Sequence, residues 1–497
     1  MGREQLSRVT LISLVYLLHV FAAESLACTT IIAGKKATTN GAIIVARNSD
    51  SGKAVNSKHL IVHQSRINLP DAVFRSNSND FSYPLTEVSL RYLGLPYWYA
   101  HNESMEQVVC NNYGVALSST ETITNSDEVL KVDPYVKKTG ITEDSIASVI
   151  IQRVKTAREG IELLGHIVST KGAGEGFGVA IADKNEVWYL ETASGHHWAA
   201  VKVPDEAYFV SANQGRIQDL DPHDKANYLL SHGLIEFAEE NKLYNPKTDR
   251  KFNFRKAFAR IIPGDVQYNY LRIYTVIRKF NPEFTADFKK GEFPTFLKPA
   301  KLISKNDVAS ALRNHYEGTD NDPYTLENPE EPYRPIAVLR QSNSHITETR
   351  SNAAPGIDVV QYISLGMNAL GVYIPFYSGI RQVPSPYLLG DDKASDDSAF
   401  WVYRKLQVLA MRNFKAYAPI IQKEYFVFEE NLAARQAQME EKYNELYKTD
   451  PIAALTLLQR FSDQTIEEAL TLTKNLTNTL FTLETEAMDK KYHFEGS

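Results

Sequence analysis

Apolar residues recur along this chain first in short bursts and later at helical spacing, and that shift predicts the order of its elements. Residues 29–33 and 42–46 are apolar runs flanking the polar stretch Lys35-Lys36-Ala37-Thr38-Thr39-Asn40-Gly41, the pattern of a β-hairpin. Further strands are expected at 58–63, 86–92 and 115–118. Residues 144–169 carry Ile146, Val149, Ile150, Val154, Ile161, Leu164 and Ile167 at close to helical spacing, which predicts a helix. The loop Gly172-Ala173-Gly174-Glu175-Gly176 separates it from strands at 177–182, 186–191, 197–203 and 207–211. Helices are expected at 226–240 and 254–262. Residues 280–345 are rich in Pro, Asn, Asp and Tyr and read as loop, with one short helix near 307–315. Strands resume at 361–365 and 371–374. From Ser398 the pattern is helical almost to the end, broken at Thr449-Asp450-Pro451. Strand clusters alternating with helix clusters imply a layered α+β fold.

Near the start, Arg3 and Arg8 precede an apolar run over 11–23, and the small residues Ser25 and Ala27 follow it. This is the pattern of a secretory signal peptide cleaved before Cys28. The run is shorter than the ~20 residues that cross a bilayer. Removal of residues 1–27 is therefore expected, with a secreted or periplasmic location and no stable membrane insertion afterwards. A lipoprotein signal also leaves a cysteine at the new terminus, but lipidation would consume its thiol and its amine. Residues 28–397 are expected to form the main domain and 398–497 a helical region packed on it. The phases exposed along 426–447 suit packing or a homo-oligomer contact.

Charge and cysteine count narrow the classes. The net charge is −6 and no basic patch interleaves with aromatics, so nucleic-acid binding is not expected. Only Cys28 and Cys110 are present, and counting permits a disulfide between them without deciding it. The triplets Asn102-Glu103-Ser104 and Asn475-Leu476-Thr477 are possible glycan acceptors. His196-His197 would point to opposite faces of a strand, and no Cys or acidic cluster completes a zinc set, so neither a metal nor another cofactor is expected.

The candidate chemistry gathers at Cys28. Once residues 1–27 are gone, a thiol and an α-amine share one residue, a nucleophile with its own base. Both groups titrate at ~8, close to working pH. With the hairpin tip centred near Ala37 and Thr38, Cys28 would face Arg47, and Asp50 would follow just past the strand end. Arg47 would favour the thiolate, and Asp50 would orient the ammonium. A structural ion pair at a strand end is the alternative for these two residues.

Five motifs follow one another in order: Cys28-Thr29-Thr30-Ile31, Ala46-Arg47-Asn48-Ser49-Asp50, Asn111-Asn112-Tyr113-Gly114-Val115-Ala116, Glu191-Thr192-Ala193-Ser194-Gly195-His196-His197-Trp198 and Ser211-Ala212-Asn213-Gln214-Gly215-Arg216-Ile217. Together they resemble the C69 peptidase family, cysteine-type dipeptidases of the N-terminal nucleophile hydrolase superfamily. The resemblance implies a four-layer αββα sandwich of two antiparallel sheets between helices, with a helical C-terminal extension. It implies Cys28 as nucleophile with its α-amine as base, Arg47 and Asp50 in support, and Asn111 and Asn213 binding the amine or the oxyanion. Asn112 stands where the family usually has an acidic residue. Arg255 is a candidate for a further superfamily arginine. With Asn111 facing Cys28 on extended chain, Cys110 would point away from it. Short peptides are the implied substrates. Acylase action on non-peptide amides and a non-catalytic binding protein with a Cys28–Cys110 disulfide remain the alternatives.

Overall fold

The computed structural model describes residues 28–98, 105–325 and 333–493. The expected signal segment and the triplet Asn102-Glu103-Ser104 lie outside the described residues. The strands of the two large sheets are β1 (Cys28–Ala33), β2 (Ile43–Asp50), β3 (Ile61–His63), β4 (Tyr92–Gly94), β5 (Val108–Asn111), β6 (Ala116–Thr122), β7 (Phe177–Ala182), β8 (Val187–Thr192), β9 (Trp198–Lys202), β10 (Tyr208–Ser211), β11 (Tyr228–Leu230), β12 (Gln341–Thr349), β13 (Val359–Leu365) and β14 (Ile374–Tyr377). One sheet has the order β10-β1-β2-β12-β13-β14 and the other β11-β9-β8-β7-β6-β5-β4-β3, with antiparallel pairing throughout both. Two two-stranded ribbons lie beside them.

Helices α1 (Glu143–Ile151) and α2 (Ala157–Lys171) cover the outer face of the eight-stranded sheet, packing Ile146, Ile150, Ile161 and Leu164 against Val179, Ile181 and Leu190. The six-stranded sheet is covered by α3 (Leu271–Phe280), α4 (Lys305–Arg313), α5 (Ala399–Ala410), α6 (Phe414–Tyr447) and α7 (Pro451–Lys491). Between the sheets, Ile32, Val45 and Phe209 meet Ala180, Ala182, Tyr189 and Val201. The result is the expected α+β sandwich of four layers with helices at the C-terminal end. Covered on both faces, β1 and β2 are buried along their whole length, which explains unbroken apolar runs where a half-exposed strand would alternate.

Several elements depart from the sequence reading. The helix expected over 144–169 is two helices, because the chain leaves α1 at Gln152 and restarts with Thr156 capping Glu159 N–H. Residues 228–230 are the edge strand β11, and helix begins only at Leu234, after Gly233 at φ +73°. Helix stops at Phe258 and not at residue 262. The expected strand at 86–92 is split between Val88–Ser89 and β4. Residues 368–370 form a 3₁₀ turn, so β14 starts at Ile374. Elements absent from the expectation include β5, the helix Asp127–Val132, and the π-helical turn Val266–Tyr270 together with the α3 it runs into. Another is β12, whose polar composition hid a strand buried by its pairing with β2 and β13.

Candidate active site

Cys28 opens β1 and is 1 % exposed. Its cross-strand partner is Ser49, and Arg47 pairs with Thr30, which corrects the expected Cys28–Arg47 register. The cause is the β1–β2 connection. It spans residues 34–42 and is held by Thr38 Oγ1 donating to Ala42 O at 2.6 Å and by Ala42 N–H donating to Asn40 Oδ1 at 3.1 Å. That centres the turn one residue later than expected. A shift of one in the centre moves each partner by two, so the side-chain face is preserved. Cys28, Thr30, Arg47 and Ser49 therefore share the face turned toward the other sheet.

Arg47 is anchored across the gap between the sheets. Its Nη2 donates to Gln107 Oε1 at 2.5 Å and to Ser49 Oγ at 3.4 Å, while Ser49 Oγ donates to the same Gln107 oxygen at 2.7 Å. Gln107 Nε2 then donates to Glu143 Oε1 at 3.1 Å, at the start of α1. On the same face His345 pairs directly with Arg47 and is fully buried. Burial first and Arg47 second push its imidazole well below the ordinary histidine range, so it is neutral.

Asp50 ends β2, next to the partner of Cys28. Its Oδ2 is ion-paired with Arg334, whose guanidinium lies 5.0 Å from the Tyr268 ring centroid. Burial lowers Arg334 to about 9, with Arg340 in the same direction and Cys28 opposing. The other oxygen, Asp50 Oδ1, is buried and has no hydrogen-bond partner.

The arginine that contacts Cys28 from a later helix is Arg272 and not Arg255. Arg255 donates to Gly291 O at 2.9 Å and does not reach Cys28. Arg272, on α3, donates to Cys28 O at 2.5 Å, Thr29 Oγ1 at 3.0 Å, Asn213 Oδ1 at 2.9 Å, Asn269 Oδ1 at 2.8 Å and Tyr268 O at 2.7 Å. Its signal was present in the sequence: Tyr270, Ile273, Val276, Ile277 and Phe280 form one buried stripe of a helix, with Arg272 between them. Asn213 follows β10, the other neighbour of β1, at the point where extending the Thr30–Ser211 register would set it opposite Cys28. Arg272 holds its Oδ1, Thr122 O accepts from its Nδ2 at 3.1 Å, and its own N–H donates to Asn269 Oδ1 at 3.1 Å.

Asn111 lies elsewhere. Its Nδ2 donates to Ile151 O and Val154 O at 2.9 and 2.8 Å, and its Oδ1 accepts from Tyr113 and Val115 N–H. It faces α1 on the outer side of the eight-stranded sheet and ties the β5–β6 turn, in which Gly114 has φ +80°. Cys110 accordingly takes the inner face, the reverse of the expected orientation. No disulfide joins Cys28 and Cys110 all the same, so the disulfide alternative does not hold. Burial, together with Asp358 and against Arg91, pushes the Cys110 thiol up to about 12. His196 is spent on Asp133 and His197 on Ser231. Among the described residues no group of three or more His, Cys, Asp or Glu is placed to hold a metal, and no helix is long and apolar enough to cross a membrane.

A buried nucleophile-type residue, flanked by cations and by asparagines locked from two elements, defines an amide-hydrolase type of site. Comparison with known proteins agrees. The model of peptidase family C69 matches residues 27–425. A probable dipeptidase of Salmonella dublin is 46% identical over 369 residues, covering 74% of this chain and 84% of that protein. A probable dipeptidase of Latilactobacillus sakei is 33% identical over 396 residues, with 79% and 83% covered. Probable dipeptidase B of Lactococcus lactis subsp. lactis (strain IL1403) is 32% identical over 437 residues, with 86% and 90% covered. The chain belongs to peptidase family C69 and is a peptide-bond hydrolase.

Proposed function

We propose that this protein is a dipeptidase whose nucleophile is the Cys28 thiolate and whose base is the Cys28 α-amine, freed by removal of residues 1–27 as a secretory signal. The observation that carries the reading is Asp50 Oδ1, a buried acceptor with no hydrogen-bond partner beside the strand that Cys28 begins. A buried carboxylate oxygen left unpaired is costly. The ammonium of a new N-terminus supplies the missing donor. The family match and the names of the three relatives support the dipeptidase activity.

The amine takes the thiol proton, and the thiolate attacks the scissile carbonyl. Arg272 and Thr122 hold Asn213 so that its amide faces the oxyanion, where one donor is worth ~3 kcal/mol. Collapse breaks the C–N bond, the ammonium protonates the leaving amine, and a thioester remains. Water, deprotonated by the same amine, releases the acid and restores the thiol. Arg47 favours the thiolate electrostatically. Asn111 takes no part. Replacing Cys28 by Ala is expected to abolish hydrolysis of Ala-Ala in protein that keeps its circular dichroism spectrum and melting temperature. Full activity in that variant contradicts the assignment.

A further inference from the structure

Lys58 is a cation that this chemistry leaves unused. It is bridged to Tyr97 at the edge of the eight-stranded sheet, is 1 % exposed, and places Nζ 3.1 Å from the Tyr97 ring centroid. Its Nζ has no hydrogen-bond partner. An ammonium buried without an acceptor is unfavourable until one arrives. The charge of Glu143 acts on it, and Glu143 ends a chain of contacts that starts at Cys28. Cys28 pairs with Ser49, Ser49 donates to Gln107, and Gln107 donates to Glu143. Burial pulls Lys58 well below the ordinary lysine range; Glu143, Glu106 and Cys28 oppose this and Arg47 adds to it. An arriving anion would restore the charge.

We propose that Lys58 receives the free C-terminal carboxylate of the substrate and so restricts the enzyme to peptides that end one residue beyond the scissile bond. This rests on Cys28 being the nucleophile. A residue of extended chain spans ~3.3–3.6 Å. A tripeptide cleaved at its first bond therefore carries its carboxylate about that much further from Cys28, out of reach of a lysine fixed in the protein interior. Glu143 and Glu106 oppose the effect of burial on the same nitrogen, and an arriving carboxylate adds to them.

The test compares Ala-Ala, Ala-Ala-amide and tri-alanine as substrates of wild type, Lys58→Met and Lys58→Arg. Wild type should favour the free acid over the amide by ~10- to 100-fold in kcat/KM, the range of a charge-assisted hydrogen bond. In Lys58→Met that ratio should fall to within about threefold of one, and Lys58→Arg should recover part of it. A wild type blind to the amide, or a Lys58→Met protein with the wild-type ratio, overturns the assignment. A second arm needs no variant: free alanine should inhibit wild type at least ~10-fold better than alaninamide, and equal inhibition also overturns it. Neither result bears on the nucleophile, which the Cys28→Ala protein tests separately.

Discussion

Arg272 is the residue on which the described geometry around Cys28 converges, and its replacement by Met gives a worked test. Methionine retains much of the apolar stem but donates nothing. Five acceptors lose a donor: Cys28 O, Thr29 Oγ1, Asn213 Oδ1, Asn269 Oδ1 and Tyr268 O. A buried acceptor left unpaired costs ~1–3 kcal/mol. Tyr268 O keeps its place in the helical turn and the amides of Asn213 and Asn269 can rotate, so a destabilisation of about 3–4 kcal/mol is expected. The kinetic effect is separate. Asn213 loses the contact that fixes its Oδ1, and misplacing one oxyanion donor costs ~10²- to 10³-fold in kcat. The assay is Ala-Ala hydrolysis by protein shown to be folded, with urea melts alongside. Arg255→Met is the comparison, because that side chain reaches Gly291 O and not Cys28. It should cost ~1–2 kcal/mol of stability and leave kcat/KM within about threefold. A folded Arg272→Met enzyme with kcat/KM within threefold of wild type, or an Arg255→Met enzyme equally impaired, refutes the reasoning.

The two asparagines should separate in the same way. Asn111→Ala is expected to lose about 2–3 kcal/mol, since Ile151 O and Val154 O lose their donor, with kcat unchanged in the folded fraction. Asn213→Ala should lower kcat ~10²-fold; steady-state kinetics on both variants decide. The Glu191 carboxyl is pushed up to about 7 by burial, against the backbone N–H groups of Arg216 and Ile217. Its folded value exceeds the unfolded one, so its contribution is fully present below the ordinary carboxylate range and is lost as pH rises toward 7. Glu191→Gln should therefore gain about 2–3 kcal/mol relative to wild type between pH 5 and pH 8; parallel urea-melt profiles contradict this. With the Cys110 thiol raised to about 12, iodoacetamide at pH 8 should modify one thiol in the native mature protein and two after denaturation. Cys110→Ala should leave the native count at one, and a count of zero would identify Cys110 as the reactive thiol.

Sequence patterning revealed the layers more readily than the site. The runs at 29–33 and 42–46 are long enough to mark β1 and β2 because helices cover one face of their sheet and the second sheet covers the other. Arg47 and Asp50 were legible from their short distance along the chain to Cys28 across one hairpin. The exact partner was not, because one residue in the turn centre shifts every pair by two. Asn213 followed from its motif after β10. Asn111 carried a motif too, but its four hydrogen bonds go to its own turn and to the end of α1, and no local pattern distinguishes a turn clamp from an oxyanion donor. Arg272, Gln107 and Arg334 reach the site from elements distant in sequence. Only the amphipathic stripe around Arg272 gave any local sign. Strand β12 was hidden because Gln341-Ser342-Asn343-Ser344-His345 is polar, and its burial comes from its neighbours in the sheet.

The most direct measurement is the intact mass and N-terminal sequence of the purified, active protein. The account predicts a chain that begins at Cys28 with an unblocked amine and an unmodified sulfur. An active enzyme that begins at any other residue, or that carries an acyl group on that amine or sulfur, contradicts it.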